Sequence, residues 1–222
     1  MSSPPRIAVL ASGRGSNLAA LLAARERGEL PVEFVLVGSD KTGAGALRMA
    51  EAANIPTLAL DPRSYPDRRT FDLDLFDRIT ASGAELLVLA GFMRILDGDA
   101  LMPWVGRMIN IHPSLLPKYR GLHTHRRALE AGDTEHGASV HFVTAELDGG
   151  PVIAQARIAI EPEDDEQRLA DRLLPLEHRL LPAVLGLLAG QRLRWDGQGP
   201  SFDDQPLLTP LVLGEHGLQT RE

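Results

Sequence analysis

The strongest constraint on the fold is the alternation of short apolar runs with segments of helical period in the first half of the chain. Runs of strand length and composition, bounded by Gly, Pro, Ser or Asp, occupy residues 6–11, 32–38, 57–60, 85–90 and 107–111. Apolar residues three and four positions apart predict helices at residues 17–27, 45–53, 67–81 and 97–104. This alternation predicts βαβ units and a mostly parallel sheet with helices on both faces.

The pattern changes after Pro117. Residues 123–131 are predicted to form a short helix. Residues 138–144 and 152–160 alternate in polarity around a D-G-G-P turn that begins at Asp148. We therefore expect later strands, at least one of them antiparallel, to extend the parallel sheet. The predicted fold is an α/β protein with a Rossmann-like open twisted sheet.

The C-terminal part is predicted to contain one long helix and a tail. Residues 164–189 have helical spacing, and a bend or restart is expected at Pro175 and Pro182. From residue 196 onward Gly, Pro, Gln and Asp dominate, which indicates little independent structure. We predict a main domain of residues 1–195 and a C-terminal extension of residues 196–222.

Composition and charge exclude several classes of function. The 30 acidic and 23 basic side chains give a net charge of -7, which opposes non-specific attraction to nucleic acid or an anionic membrane. The chain has no cysteine, so disulfides, thiolate metal sites and a cysteine nucleophile are excluded. The longest apolar runs are shorter than the ~20 residues that span a bilayer, and the first residues lack the pattern of a signal peptide. We expect a cytoplasmic protein with no nucleic-acid or membrane partner.

The segment A-S-G-R-G-S-N, residues 11–17, joins the first predicted strand to the first predicted helix. Its glycines allow close backbone approach, and the helix N-terminus offers unpaired N–H groups and partial positive charge. Leu18 replaces the third glycine of the dinucleotide fingerprint, and no Gly-Lys-Ser/Thr follows. The segment is therefore either a site for one phosphate monoester or a glycine turn capped by Ser16 or Asn17.

A second candidate site lies at the end of the fifth predicted strand, in N-I-H-P-S-L-L-P-K-Y-R-G-L-H-T-H. Asn110 and His112 are two positions apart, so both point to one side at the sheet edge where α/β proteins bind ligands. An amide and an imidazole together suit the oxyanion that develops on an attacked carbonyl. Asp148 is the candidate carboxylate that would keep His112 charged at pH 7. Taken singly, each residue also has an ordinary structural explanation.

Metal and hydrolase sites are weaker alternatives. His112, His123 and His125 could be imagined as zinc ligands, but no cysteine or carboxylate completes a recognised pattern. A Ser-His-Asp hydrolase that uses Ser114 or Ser139 lacks the G-x-S-x-G elbow. We expect no metal.

Taken together, these segments resemble the phosphoribosylglycinamide formyltransferases, the folate-dependent transformylases of purine biosynthesis. The resemblance extends from about Arg6 to Pro182 and includes S-G-R-G-S-N, L-A-G-F-M-R-I-L, the N-I-H-P segment, H-G-A-S-V-H-F-V-T-A-E-L-D-G-G-P-V-I and L-E-H. It implies transfer of the formyl group of the cosubstrate 10-formyltetrahydrofolate to the amine of 5'-phosphoribosylglycinamide, without a metal, by a formyltransferase domain. Only small-molecule partners are implied, and the protein would be a monomer or homodimer.

The resemblance also implies roles for individual residues. The implied catalytic residues are Asn110, His112 and Asp148. The residues implied to bind phosphoribosylglycinamide are Gly15, Ser16, Asn17 and Glu177. Those implied to bind the folate are Arg68, Met93, Arg94, Ile95, Leu96, Asn110 and Val143.

Three alternatives remain beside this interpretation. Formyltetrahydrofolate deformylases are similar in the catalytic trio but carry an N-terminal regulatory domain, whereas the first predicted strand here begins at Arg6. Methionyl-tRNA formyltransferases add a C-terminal RNA-binding domain, for which residues 196–222 are too few. A non-catalytic phosphosugar-binding module would need only the glycine loop, and would leave Asn110, His112 and Asp148 without a purpose.

Overall fold

The strands within the described part of the chain form a sheet of nine strands and a small sheet of three. The computed structural model describes residues 3–220. Its strands are β1 (Arg6–Leu10), β2 (Glu33–Ser39), β3 (Thr57–Ala59), β4 (Leu86–Leu89), β5 (Met108–His112), β6 (Glu135–Phe142), β7 (Val152–Ala159), β8 (Leu193–Trp195), β9 (Pro200–Phe202), β10 (Gln205–Pro206), β11 (Leu211–Gly214) and β12 (Gly217–Gln219). Its α-helices are α1 (Ser16–Glu26), α2 (Gly45–Ala52), α3 (Arg68–Ala81), α4 (Gly98–Leu101), α5 (Thr124–Glu130) and α6 (Glu166–Ala189).

The large sheet has the strand order β12-β11-β7-β6-β5-β4-β1-β2-β3. Strands β1 to β5 pair in parallel. Strand β6 is antiparallel to both β5 and β7. The predicted fold class is confirmed, since a parallel half is extended by antiparallel strands. The five strands predicted in the first half are all present.

Two buried apolar clusters cover the two faces of the large sheet. Along β1, Ile7 and Val9 belong to one cluster, whereas Ala8 and Leu10 belong to the other. Successive side chains of a strand point to opposite faces, so both faces are buried. Helices α1, α2 and α6 contribute to the first cluster, and α3 and α4 contribute to the second. The strands therefore carry continuous apolar runs, as parallel strands between helical layers do.

Helix α6 continues through both of its prolines. It is a single helix of 24 residues with Pro175 and Pro182 inside it, so of the two expected outcomes, a bend or a restart, it does not restart. Its buried leucines, among them Leu173 and Leu181, pack on the sheet and hold the helix where the prolines remove N–H donors. Over residues 3–220, none of the helices has both the length and the apolar character needed to cross a membrane.

The C-terminal tail is structured, so the prediction that it has little structure of its own is wrong. Strand β11 adds to the large sheet beside β7, with Leu211 opposite Ala154. The Leu211 side chain is fully buried. Trp195 packs edge-on against Phe142, with ring centroids 5.2 Å apart. The strands of the tail are only two to four residues long, too short for a clear period, and β7 supplies the edge that holds the longest of them.

Candidate functional site

The sheet brings Asn110, His112 and Asp148 together. Asn110 and His112 both lie in β5 and share one face. Asp148 lies in the connection between β6 and β7, in a left-handed conformation with φ of 47°. Its Oδ2 lies 3.5 Å from His112 Nδ1, and its Oδ1 lies 3.4 Å from Asn110 Nδ2. A Cβ on Gly150 would overlap the Phe142 carbonyl, so the D-G-G-P turn can fold tightly onto the end of β6.

The Asp148 carboxylate is buried but well supplied with donors. The Gly121 N–H donates to its Oδ2 at 2.9 Å. Burial raises the pKa of Asp148, but contacts with His141 and His112 and the Gly121 hydrogen bond together lower the pKa below its ordinary value of 3.8. Asp148 is therefore a fixed negative charge at neutral pH.

His112 has an acceptor at each ring nitrogen. Its Nε2 lies 2.9 Å from the Tyr119 carbonyl, which can only accept a hydrogen bond. Nε2 is therefore protonated, and Nδ1 is the nitrogen on the Asp148 side. Burial lowers the pKa of His112, while Asp148 and the Tyr119 carbonyl raise it by less, so the pKa lies below 6.5. Asp148 thus acts on His112 in the expected direction, but burial has the larger effect on the pKa; the charge of His112 at pH 7 stays a prediction.

A second histidine, His141, belongs to the same cluster and was missed in the sequence. It lies in β6 directly opposite Asn110. Its Nε2 is 3.1 Å from Asn110 Nδ2 and 3.6 Å from Asp148 Oδ1. Only the antiparallel register of β5 and β6 brings His141 to Asn110, and that register cannot be read from the motifs of a single strand.

A cavity of about 460 Å³ opens beside this cluster. The cluster of Asn110, His112, His141 and Asp148 forms part of its wall. The rest of the wall includes Met93, Arg94, Ile95, Leu96 and Val143. Its volume is in the range of small-molecule sites, and its wall combines apolar side chains with a few convergent polar groups. Most of the predicted folate residues thus surround one cavity together with the predicted catalytic residues.

Arg68 is the predicted folate residue that does not line this cavity. It is the first residue of α3. The Arg94 guanidinium stacks on the Phe71 ring of the same helix, 4.4 Å from its centroid. The buried carboxylate of Asp72 accepts the Asp97 N–H at 2.7 Å. Helix α3 therefore anchors both ends of the 94–97 segment, of which Arg94, Ile95 and Leu96 line the cavity.

The glycine loop forms the N-terminus of α1. The N-cap is Gly15, in a left-handed conformation with φ of 88° and without a side-chain cap, so capping by Ser16 or Asn17 is wrong. A Cβ on Gly15 would lie 2.9 Å from the Cα of Ala46, so glycine is needed for the packing of α1 on α2 as well. The first N–H groups of the helix consequently have no side-chain acceptor and suit an anion.

Asn17 joins this loop to helix α6. Its Nδ2 donates to Glu177 Oε2 at 3.1 Å, while its buried Oδ1 has no partner among the described residues. Burial raises the pKa of Glu177, and the Asn17 hydrogen bond lowers it by less. The four residues predicted to bind phosphoribosylglycinamide thus meet at one helix terminus, outside the lining of the cavity.

Ser12 connects the glycine loop to the cavity, and sequence reasoning missed it. Its hydroxyl donates to Asp40 Oδ1 at 2.5 Å and accepts the Met93 N–H at 2.9 Å. Asp40 lies just beyond β2. One hydroxyl therefore fixes the segment at Met93 relative to the end of β1.

The remaining histidines of the N-I-H-P segment do not form a metal site. Across residues 3–220, no group of three or more His, Asp or Glu side chains could hold a metal ion. His125 instead pairs with His136, with Nδ1 of the first 3.0 Å from Nε2 of the second. Burial and the neighbouring His125 lower the pKa of His136 to about 4.

Comparison with known proteins identifies the family. Residues 5–185 match the family described as formyl transferase. The phosphoribosylglycinamide formyltransferase of Escherichia coli is 44% identical over 201 residues, 90% of this chain and 95% of the relative. The trifunctional purine biosynthetic protein adenosine-3 of Drosophila pseudoobscura is 46% identical over 198 residues, which cover 87% of this chain but 14% of that protein. The structure of phosphoribosylglycinamide formyltransferase from Coxiella burnetii, 46% identical, matches with a TM-score of 0.87 and covers 91% of this chain and 95% of that one. The chain therefore belongs to the formyl transferase family.

Proposed function

We propose that the protein transfers the formyl group of 10-formyltetrahydrofolate to the amine of 5'-phosphoribosylglycinamide, in purine biosynthesis. The convergence of Asn110, His112 and Asp148 at a ligand-sized cavity carries this proposal. The two relatives that this chain matches over 95% of their length are phosphoribosylglycinamide formyltransferases. The resemblance predicted from the sequence is therefore confirmed. The cytoplasmic location, the monomeric or homodimeric state and the division after residue 195 stay predictions.

Asn110 stabilises the oxygen of the formyl group during transfer. As the amine adds to the formyl carbon, negative charge develops on this oxygen, and a preorganised N–H donor lowers the energy of that state. The contact between Asn110 Nδ2 and Asp148 Oδ1 is long at 3.4 Å, so this hydrogen can pass to the substrate oxygen at little cost.

His112 carries the proton that must move between the two nitrogens. The reaction forms a bond from the amine nitrogen to the formyl carbon and breaks the bond from that carbon to the folate nitrogen. In its neutral form, with the ring proton on Nε2 against the Tyr119 carbonyl, His112 can accept the amine proton at Nδ1. The resulting imidazolium lies beside Asp148 and adds a positive charge near the oxyanion. It then gives the proton to the leaving folate nitrogen, which restores neutral His112.

The two substrates approach this centre from different segments. Gly15, Ser16 and Asn17 at the N-terminus of α1 hold the phosphate, and Glu177 contacts the same substrate. The wall from Met93 to Leu96, together with Val143, receives the folate, and Arg68 at the start of α3 belongs to the same substrate's site. The apolar cavity wall suits an aromatic ring system, and the uncapped helix N-terminus suits a phosphate dianion.

The test is an absorbance assay of formyl loss from 10-formyltetrahydrofolate, with and without phosphoribosylglycinamide. We expect turnover to require the amine and to fall by about 10²–10⁴-fold in His112→Ala, the range for loss of an acid–base group. The matched control is His216→Ala, since His216 is exposed in the tail. Equal formyl loss without the amine would identify a hydrolase. Unchanged turnover in His112→Ala would contradict the proposed site.

A further inference from the structure

His141 is buried in the cavity wall and has no role in the reaction described above. It is 2% exposed. The β5–β6 register places it directly opposite Asn110, so the two side chains stand on the same face of the sheet. A buried imidazole that contacts a reacting side chain needs a chemical explanation.

The hydrogen bonds of His141 fix its tautomer. Its Nδ1 is 2.9 Å from the carbonyl oxygen of Phe142. A carbonyl only accepts hydrogen bonds, so Nδ1 carries a proton. In the neutral ring Nε2 is then an acceptor, and it faces Asn110 Nδ2 at 3.1 Å.

This acceptor determines which end of the Asn110 amide faces the cluster. Two acceptors, His141 Nε2 and Asp148 Oδ1, lie around the same corner of the amide. If the amide rotated by half a turn, its carbonyl oxygen would face both of them without a hydrogen. The NH₂ group is therefore held inward, as an oxyanion donor requires.

The two amide hydrogens are not equivalent. One is held by His141 at 3.1 Å, and the other makes the longer contact to Asp148 at 3.4 Å. The second hydrogen is the one that can be released to a substrate oxygen. His141 keeps the group aligned while that exchange takes place.

We propose that His141 is a positioning residue, which orients the Asn110 carboxamide so that its N–H points at the formyl oxygen. The proposal rests on the proposed function, because it names the residue through which that function is supported. A proton relay from His141 to Asp148 is the competing explanation. It is disfavoured by geometry, since His141 Nε2 lies 3.6 Å from Asp148 Oδ1 and closer to Asn110.

The test uses two substitutions of His141 and measures the effect of one of them both in the wild type and in an Asn110→Ala variant. His141→Asn keeps a donor near the Nδ1 position and loses the acceptor that reaches Asn110. His141→Gln can place its amide oxygen near the Nε2 position and keeps that acceptor. We expect kcat to fall by about 10-fold or more in His141→Asn, with KM for both substrates changed less than about 3-fold, and to recover most of its value in His141→Gln.

The deciding measurement is a double-mutant cycle with Asn110→Ala. If His141 acts through Asn110, His141→Asn should lower kcat by less than about 2-fold once Asn110 is alanine. An equal loss in both backgrounds would overturn the proposal and favour the relay.

Two further measurements, thermal unfolding of each variant and the turnover of Asn110→Ala, separate an effect on folding from an effect on catalysis. Thermal unfolding of each variant shows whether a lost rate reflects a lost fold, and His141→Gln provides the comparison if His141→Asn unfolds. Wild-type turnover in Asn110→Ala would contradict the proposed function itself. If Asn110→Ala loses turnover but His141→Asn keeps the kcat of the wild type, only the role of His141 is contradicted.

Discussion

Acid should destabilise the protein through His136, a residue outside the reacting cluster. The side chain is 1% exposed. Its Nε2 receives a hydrogen bond from His125 Nδ1 at 3.0 Å, and it also hydrogen bonds to the Pro113 carbonyl. With Nε2 occupied by His125, the N–H that donates to this carbonyl is Nδ1–H, so both ring nitrogens of neutral His136 have a hydrogen-bond partner. A proton on Nε2 would break the bond from His125 and bury a charge.

The size of the effect follows from the change in pKa on folding. The pKa of His136 falls from 6.5 to about 4, because of burial first and His125 second. Between these values the unfolded chain binds a proton that the folded chain does not, so the free energy of unfolding falls as the pH falls. The linkage relation gives a loss of about 2 kcal/mol between pH 7.5 and pH 5.0 from this group alone.

Urea unfolding at pH 7.5, 6.5, 5.5 and 5.0 measures this loss. His136→Gln removes the titrating group, so its free energy of unfolding should depend less on pH by about 2 kcal/mol over the same range. His216→Gln, a substitution of an exposed histidine in the tail, should keep the full dependence of the wild type. If His136→Gln and the wild type lose the same free energy on acidification, the reasoning on His136 is refuted.

Two further predictions concern the reacting cluster and the tail. Asp148 raises the pKa of His112, so Asp148→Asn should lower the midpoint of the His112 imidazole titration in NMR; an unchanged or higher midpoint would contradict the contact. Leu211 is fully buried whereas Leu208 is 90% exposed, so Leu211→Ala should reduce the free energy of unfolding by about 2–4 kcal/mol. Leu208→Ala should change it by less than about 0.5 kcal/mol, and similar small values for both would show that β11 does not pack on the sheet.

The parallel half of the sheet was predictable because its strands are continuous apolar runs between helices. The face shared by Asn110 and His112 was predictable too, since the period of a strand is two residues and both lie in β5. Strand β11 was not predictable from the sequence. Its four residues are too few to show the alternation of polarity typical of a strand, and its pairing partner β7 lies far away in the sequence. Local pattern cannot report a strand that depends on an edge formed elsewhere.

The chemistry of the site was less predictable than its position. Asp148 was expected near His112, and its carboxylate does lie there. The lowering of the His112 pKa by burial was not predictable, because burial is a property of the folded chain that no motif displays. His141 and Ser12 were missed because each acts through a contact between segments, with Asn110 across two strands and with Met93 across the sheet edge.

The pairing of β11 with β7 has a consequence for synthesis of the chain. Ala159 ends β7 and Gly214 ends β11, a separation of 55 residues (214 − 159). At 5–20 residues per second, the ribosome needs roughly 3–11 s to make this stretch. During that interval the nascent chain exposes the unpaired edge of β7, a template for pairing with other chains. The strands of the C-terminal tail thus cover an edge of the sheet that is open to aggregation while the chain is being made.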